Sequence, residues 1–332
     1  MYIPLHGHST YSFLEALGST KQIVSIAKEM GLPSIAITDY SGIYCFPSFY
    51  LAAQEKKEET DPTLKAIIGV ELWLVPDIHN ISWIKEIGNI CLIALNNTGY
   101  DNLRAIITIA NEDGIERKPK IDCSILQQYQ EGLVAFYWWI YSWCYQELQN
   151  GGTIENIKAT HQQLKEIFGD RCYLEITAQD GQKITEYQEI NTLLYNLAKE
   201  TQTECIVNNN YFYPEKKLRE AWEVALCIKD GKKIYDKDRR NPQGEFHIMK
   251  EEEIKEICLK NGYSEEEINH RIENNFKIAE ECDVSIPFWR ALFPQYEAPE
   301  KIKTLYNEFW DSMIIVDHED SQNTTEQHEE TL

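Results

Sequence analysis

Seven short apolar runs, each read as a strand followed by a helix, constrain this chain more than any other feature. The runs are 2–6, 34–38, 66–75, 89–95, 132–137, 172–177 and 204–208. Between them fall helices with readable ends. Ser19 is an N-cap for a helix to Met30, with Gly31 just past it, and Asp122 caps a helix to Gln130. Thr153 opens a helix to Phe168, and helices are expected over 45–57, 100–111, 182–201 and 214–229. Alternation of this kind predicts a parallel sheet covered by helices. Seven such units point to a closed, TIM-like (β/α)7 barrel, whose chemistry would sit where strands end. A doubly wound open sheet is the alternative, but no Gly-x-Gly-x-x-Gly phosphate loop supports it.

The candidate chemistry gathers at such ends. His6 and His8 flank one glycine, and in an extended chain residues i and i+2 point to one face. Two imidazoles side by side suit a metal such as zinc. Glu15, one loop later, offers a carboxylate oxygen. Asp39 closes the second run and Glu71 lies in the third. A competing reading makes His6 and His8 hydrogen-bonded polar residues, Glu71 their buried partner and Asp39 a turn cap.

The chain is long enough for one large barrel or two ordinary domains, at 332 residues with 43% apolar and 26% charged side chains. A formal charge of −22 repels phosphate backbones and argues against direct nucleic-acid binding. Nine scattered cysteines, with no Cys-x-x-Cys pair, argue against a disulfide framework and for a reducing cytoplasm. No membrane-spanning run or signal peptide is expected. Residues 1–230 read as the barrel, 231–298 as a helical extension, and 299–332 as an acidic tail, expected to be largely disordered. From Asp311 onward there are seven acidic residues and no lysine or arginine.

Several stretches together resemble a known family. They are His6-Gly-His8-Ser-Thr-Tyr-Ser-Phe-Leu, Ile35-Ala-Ile-Thr-Asp39, Ile67-Ile-Gly-Val-Glu71, Leu95-Asn-Asn-Thr-Gly-Tyr-Asp-Asn-Leu103, Arg171-Cys-Tyr-Leu-Glu-Ile176 and Cys227-Ile-Lys-Asp-Gly231, with Glu281–Pro287 and Leu292-Phe-Pro294 following. In this order they resemble the PHP (polymerase and histidinol phosphatase) domain of bacterial DNA polymerase III alpha subunits. The resemblance implies a distorted barrel of seven β/α units. It also implies a cluster of zinc or manganese ions that hydrolyses phosphoesters.

Carried over by residue, His6, His8 and Glu71 match metal ligands, and Glu15 stands where the family has aspartate. Other positions are replaced. Tyr40 and Asn89 stand at histidine positions, Trp139 where a cysteine or histidine belongs, and Asn210 and Phe212 for an aspartate and a histidine. Aromatic rings cannot ligate a divalent cation, and neutral amides are poor zinc ligands. The expectation is therefore at most one divalent metal, zinc or manganese, or none. A non-catalytic scaffold linked to replication or repair follows, with a separately encoded polymerase subunit or another replication protein as partner. A metal-dependent phosphoesterase with a reduced site is the alternative. The aromatic run Trp138–Trp143 is expected to fill the emptied mouth, or else to form a docking surface. The polymerase palm of the family is not expected within this chain.

Overall fold

The computed structural model describes residues 1–55, 63–79, 88–114, 118–137, 154–288 and 299–311. It divides into two units, Met1–Ser285 and Ile286–Leu332. The first unit holds strands β1 (Ser34–Ile37), β2 (Lys65–Leu74), β3 (Gly88–Ala94), β4 (Lys120–Ile121), β5 (Leu133–Tyr137), β6 (Cys172–Thr177) and β7 (Cys205–Asn208). Its α-helices are α1 (Thr20–Glu29), α2 (Phe46–Gln54), α3 (Asn97–Glu112), α4 (Cys123–Tyr129), α5 (Glu155–Phe168), α6 (Thr185–Thr201), α7 (Arg219–Asp230), α8 (Glu251–Lys260) and α9 (Glu265–Glu281). In the second unit, residues 300–311 are helical. No helix among the described residues is long and apolar enough to cross a membrane.

The helix ends follow the local chemistry read from the sequence. Ser19 and Gln22 form a capping box at α1, and Asp122 accepts from the Ser124 and Ile125 amides at α4. Helix α5 departs from the expectation. Its N-cap is Ile154, which makes no side-chain cap bond, while Thr153 lies outside the described residues.

The sheet is mixed, not parallel. Its order is β1-β2-β3-β5-β6-β7, with β4 on β2. Strand β3 runs antiparallel to both β2 and β5, whereas β1–β2, β2–β4, β5–β6 and β6–β7 are parallel. A parallel pair needs a crossover of a dozen or more residues. The β2–β3 connection spans 75–87, of which the structure describes 75–79, and β3 pairs antiparallel with β2.

Residues 2–6 are not a strand. They form an extended segment between the two edges of the curled sheet. On one side the Ala36 amide donates to Pro4 O (3.0 Å) and the Thr38 amide to Gly7 O (2.7 Å). On the other, the His8 amide donates to Tyr211 O (2.8 Å), and the Leu5 amide to Asn208 Oδ1 (3.0 Å). Open edges are thereby paired through the N-terminal segment. Gly7 allows this approach, because a Cβ there would lie 1.9 Å from the Tyr211 ring.

The inner face is apolar at one end. Ile3, Leu5, Ile67, Ile93, Val134, Tyr173 and Ile206 pack with Ile278 and Ala279 of α9. Each such large side chain, fully buried, stabilises the fold by about 1.5–3 kcal/mol. The other end of the same face is polar.

Candidate metal centre

Alternation along the strands places the polar groups. Inward positions on β2 run Ile67, Gly69, Glu71, so the carboxylate follows two apolar positions. Because β3 is antiparallel, Cys91 lies directly across the ladder from Glu71, and Asn89 two pairs further on, opposite Trp73. Glu175 on β6 and Asn208 on β7 come from the same end of their strands.

His6 sits between two carboxylates. Its Nδ1 lies 3.0 and 2.9 Å from the two oxygens of Glu175, and its Nε2 lies 3.0 Å from Glu71 Oε2. The Cys91 sulfur is 3.3 Å from the same Nε2. Asn208 Nδ2 donates to Glu175 Oε2 (3.2 Å), and Asn89 Nδ2 donates to Glu71 Oε1. His6, His8, Glu71, Cys91 and Glu175 are all fully buried.

Burial works against a charged His6, yet the Cys91 sulfur and the Glu175 carboxylate raise its pKa well above the ordinary imidazole value. Burial likewise favours a protonated Glu71, but the imidazoles of His6 and His8 outweigh it and hold that carboxyl down at about 2. Burial pushes the Cys91 thiol up to about 12.

His8 is held differently. Its ring lies between Tyr40 and Phe212, stacked on both, with centroids 4.3 and 4.7 Å away. Phe212 in turn stacks on Trp222. The Ser12 hydroxyl donates to Asp39 Oδ1 (2.7 Å), so its oxygen accepts from His8 Nδ1 (3.1 Å). That leaves Nε2 facing Glu71 Oε2 at 3.1 Å, buried and without a hydrogen bond. Asp39 holds the loop together, since it also accepts from the Ser9 amide (2.7 Å) and hydroxyl (2.6 Å).

The remaining residues singled out in the sequence fall as follows. The carboxylate oxygens of Glu15 meet Lys229 (2.6 Å) and Arg240 (2.7 Å), which makes it an ion-pair partner of α7 and the loop beyond. Asn210 is buried in the left-handed region, at φ 50°, with both amide atoms unpaired. Trp139 and the rest of the aromatic run after Tyr137 lie outside the described residues. Among the described residues, His6, Glu71 and Cys91 bring one donor atom each within 4.8 Å of one another. Cys91 and Glu175 were not singled out in the sequence. The signal for Cys91 was its i+2 spacing from Asn89, and that for Glu175 its place in Arg171-Cys-Tyr-Leu-Glu-Ile176.

The PHP domain family matches residues 4–179, just over half of the 332-residue chain. The chain belongs to the PHP domain family. Curated relatives extend the similarity along most of this PHP chain. It is 28% identical over 314 residues to the DNA polymerase III subunit alpha of Borreliella burgdorferi, covering 92% of this chain and 26% of the relative. It is 28% identical over 308 residues to that of Campylobacter jejuni, covering 88% and 24%. The PHP chain thus spans about a quarter of the length of these relatives. Among solved structures, an amidohydrolase from Chromobacterium violaceum aligns at TM-score 0.44 and 11% identity, over 68% of this chain and 97% of that one.

Proposed function

We propose that this PHP domain is a non-hydrolytic structural module of a replication or repair assembly, holding at most one divalent cation. The sandwich of His8 between Tyr40 and Phe212 carries this reading. A hydrolytic metal centre needs an open coordination position and room for water and phosphate beside it. Here two rings flank the histidine where the family resemblance expects further ligands, and every donor of the cluster is sealed from solvent.

The donors present fit one ion. His6 Nε2, Glu71 and Cys91 converge, and the Nε2 of His8 lacks a partner. His6, His8 and Glu71 are the residues we assign to it. Glu15, spent on Lys229 and Arg240, is the outer candidate. A bound zinc or manganese ion would supply charge neutralisation between buried carboxylates. The curled sheet, joined through the N-terminal segment, supports a distorted seven-unit PHP barrel as the frame. The partner we infer is a separately encoded polymerase subunit or another replication protein, a reading that rests on the alpha-subunit relatives.

Metal analysis of the purified chain, with turnover of bis(p-nitrophenyl) phosphate measured beside it, tests the proposal. At most one ion per chain and no turnover above buffer are expected. Two or more tightly held ions with metal-dependent turnover overturn it.

A further inference from the structure

Cys91 lies outside the ligand set that the family resemblance supplies, yet its surroundings are those of a ligand. It is fully buried, opposite Glu71 across the β2–β3 ladder, and its sulfur is 3.3 Å from His6 Nε2. The Nε2 of His6 is 3.0 Å from Glu71 Oε2. Tetrahedral zinc with ordinary Zn–N, Zn–O and Zn–S bonds separates its donors by about 3.3–3.6 Å. The observed spacings are close to the edges of such a tetrahedron.

Two further observations point to a cation. Glu175 takes the Nδ1 of His6 and so turns Nε2 toward Glu71 and Cys91, the arrangement by which an outer carboxylate orients a ligating histidine. The Ser12 hydroxyl takes the Nδ1 of His8 and leaves its Nε2 orphaned at 3.1 Å from Glu71 Oε2.

We infer that the chain holds a single thiolate-ligated cation of the zinc class on His6, Glu71 and Cys91. The inference rests on the one-ion reading above and deepens it. A thiolate selects zinc or cobalt over manganese and magnesium, which prefer oxygen donors. All three donors are fully buried, so the ion braces the polar end of the sheet away from solvent without hydrolysing anything. Binding breaks the S–H bond of Cys91, releases that proton to solvent, and forms the metal–sulfur bond with no change of oxidation state.

Cobalt(II) titration of the intact, chelator-stripped chain tests this by absorption. The expected spectrum shows a sulfur-to-cobalt charge-transfer band in the near ultraviolet and intense visible bands of tetrahedral cobalt, saturating at one equivalent. Cys91→Ser abolishes the charge-transfer band and weakens binding by roughly 10-fold or more, the scale seen for loss of groups around a metal. Excess manganese leaves the spectrum unchanged. Zinc-edge X-ray absorption on the unmodified chain gives the same answer without a variant, as one sulfur in the zinc shell. No cobalt uptake, uptake without the charge-transfer band, a band that survives Cys91→Ser, or a zinc shell without sulfur overturns the inference. None of these outcomes requires phosphodiester turnover, so the one-ion, non-hydrolytic reading stands or falls separately.

Discussion

The Nδ1 of His6 faces both carboxylate oxygens of Glu175, at 3.0 and 2.9 Å, inside a fully buried cluster. Removing one member of a buried charge pair leaves its partner uncompensated, at a cost of about 3–5 kcal/mol. Because Glu71 still faces His6 Nε2 at 3.0 Å, Glu175→Ala is expected to lower the unfolding free energy read from urea denaturation by no more than the upper end of that range. Glu175→Gln keeps the shape and is expected to cost less than Glu175→Ala. Equal stability of Glu175→Ala and the unmodified chain would show that the pair does not stabilise the fold.

Gly7 separates the two histidines because of Tyr211. A Cβ at position 7 meets the Tyr211 ring, whose hydroxyl donates to Ala36 O (2.6 Å). Gly7→Ala must push the ring aside, and overpacking of this kind costs about 1–3 kcal/mol. Chemical denaturation should show that loss, and the increment caused by Gly7→Ala should be smaller when it is measured in a Tyr211→Ala background.

His161 of α5 is fully buried, and among the described residues its hydrogen-bond partners are hydroxyls. Tyr137 meets its Nδ1, and Thr201 and Thr203 lie 2.9 and 3.1 Å from its Nε2. Burial, aided by the charge of Lys165, lowers its pKa to about 4. A histidine depressed in the fold contributes stability that is fully present above the unfolded value near 6.5. That contribution is lost as pH falls from about 6.5 toward 4, because the unfolded chain protonates first. Acid destabilisation across this window, of about 2–3 kcal/mol at most, is expected in the unmodified chain. It should shrink in His161→Gln when unfolding is followed at pH 7, 5.5 and 4.5.

The N-terminus of α9 is closed by a capping box. Ser264 Oγ accepts from the Glu267 amide (3.3 Å), and Glu267 Oε2 accepts from the Ser264 amide (2.9 Å). Ser264→Ala is expected to cost about 1 kcal/mol. The hydrogen bond from the Tyr195 hydroxyl, followed by that from the Ser264 backbone, holds the Glu267 carboxyl at about 2. The cap therefore contributes above the unfolded carboxyl value near 4.5 and weakens as pH falls toward 2. Thermal melts of the two chains should lie closer together at pH 3 than at pH 7, with the Tyr195 bond to Glu267 kept in both.

What the sequence determined by itself was local. Capping at Ser19 and Asp122, the alternation of six strands, and the His6-Gly-His8 pair all depend on groups a few residues apart, and the structure shows each in place. Strand direction was decided only by the tertiary structure. Apolar runs look alike whichever way they pair, so nothing in residues 89–95 announced that β3 is antiparallel. That reversal sets Cys91, midway along β3, directly opposite Glu71. Residues 2–6 alternate as a strand does, but their bonds are shared between two edges that meet only once the sheet has curled. The partners of Glu15 and Glu175 were likewise illegible. Lys229 and His6 lie 214 and 169 positions away in the chain, and only folding brings such charges within hydrogen-bond reach.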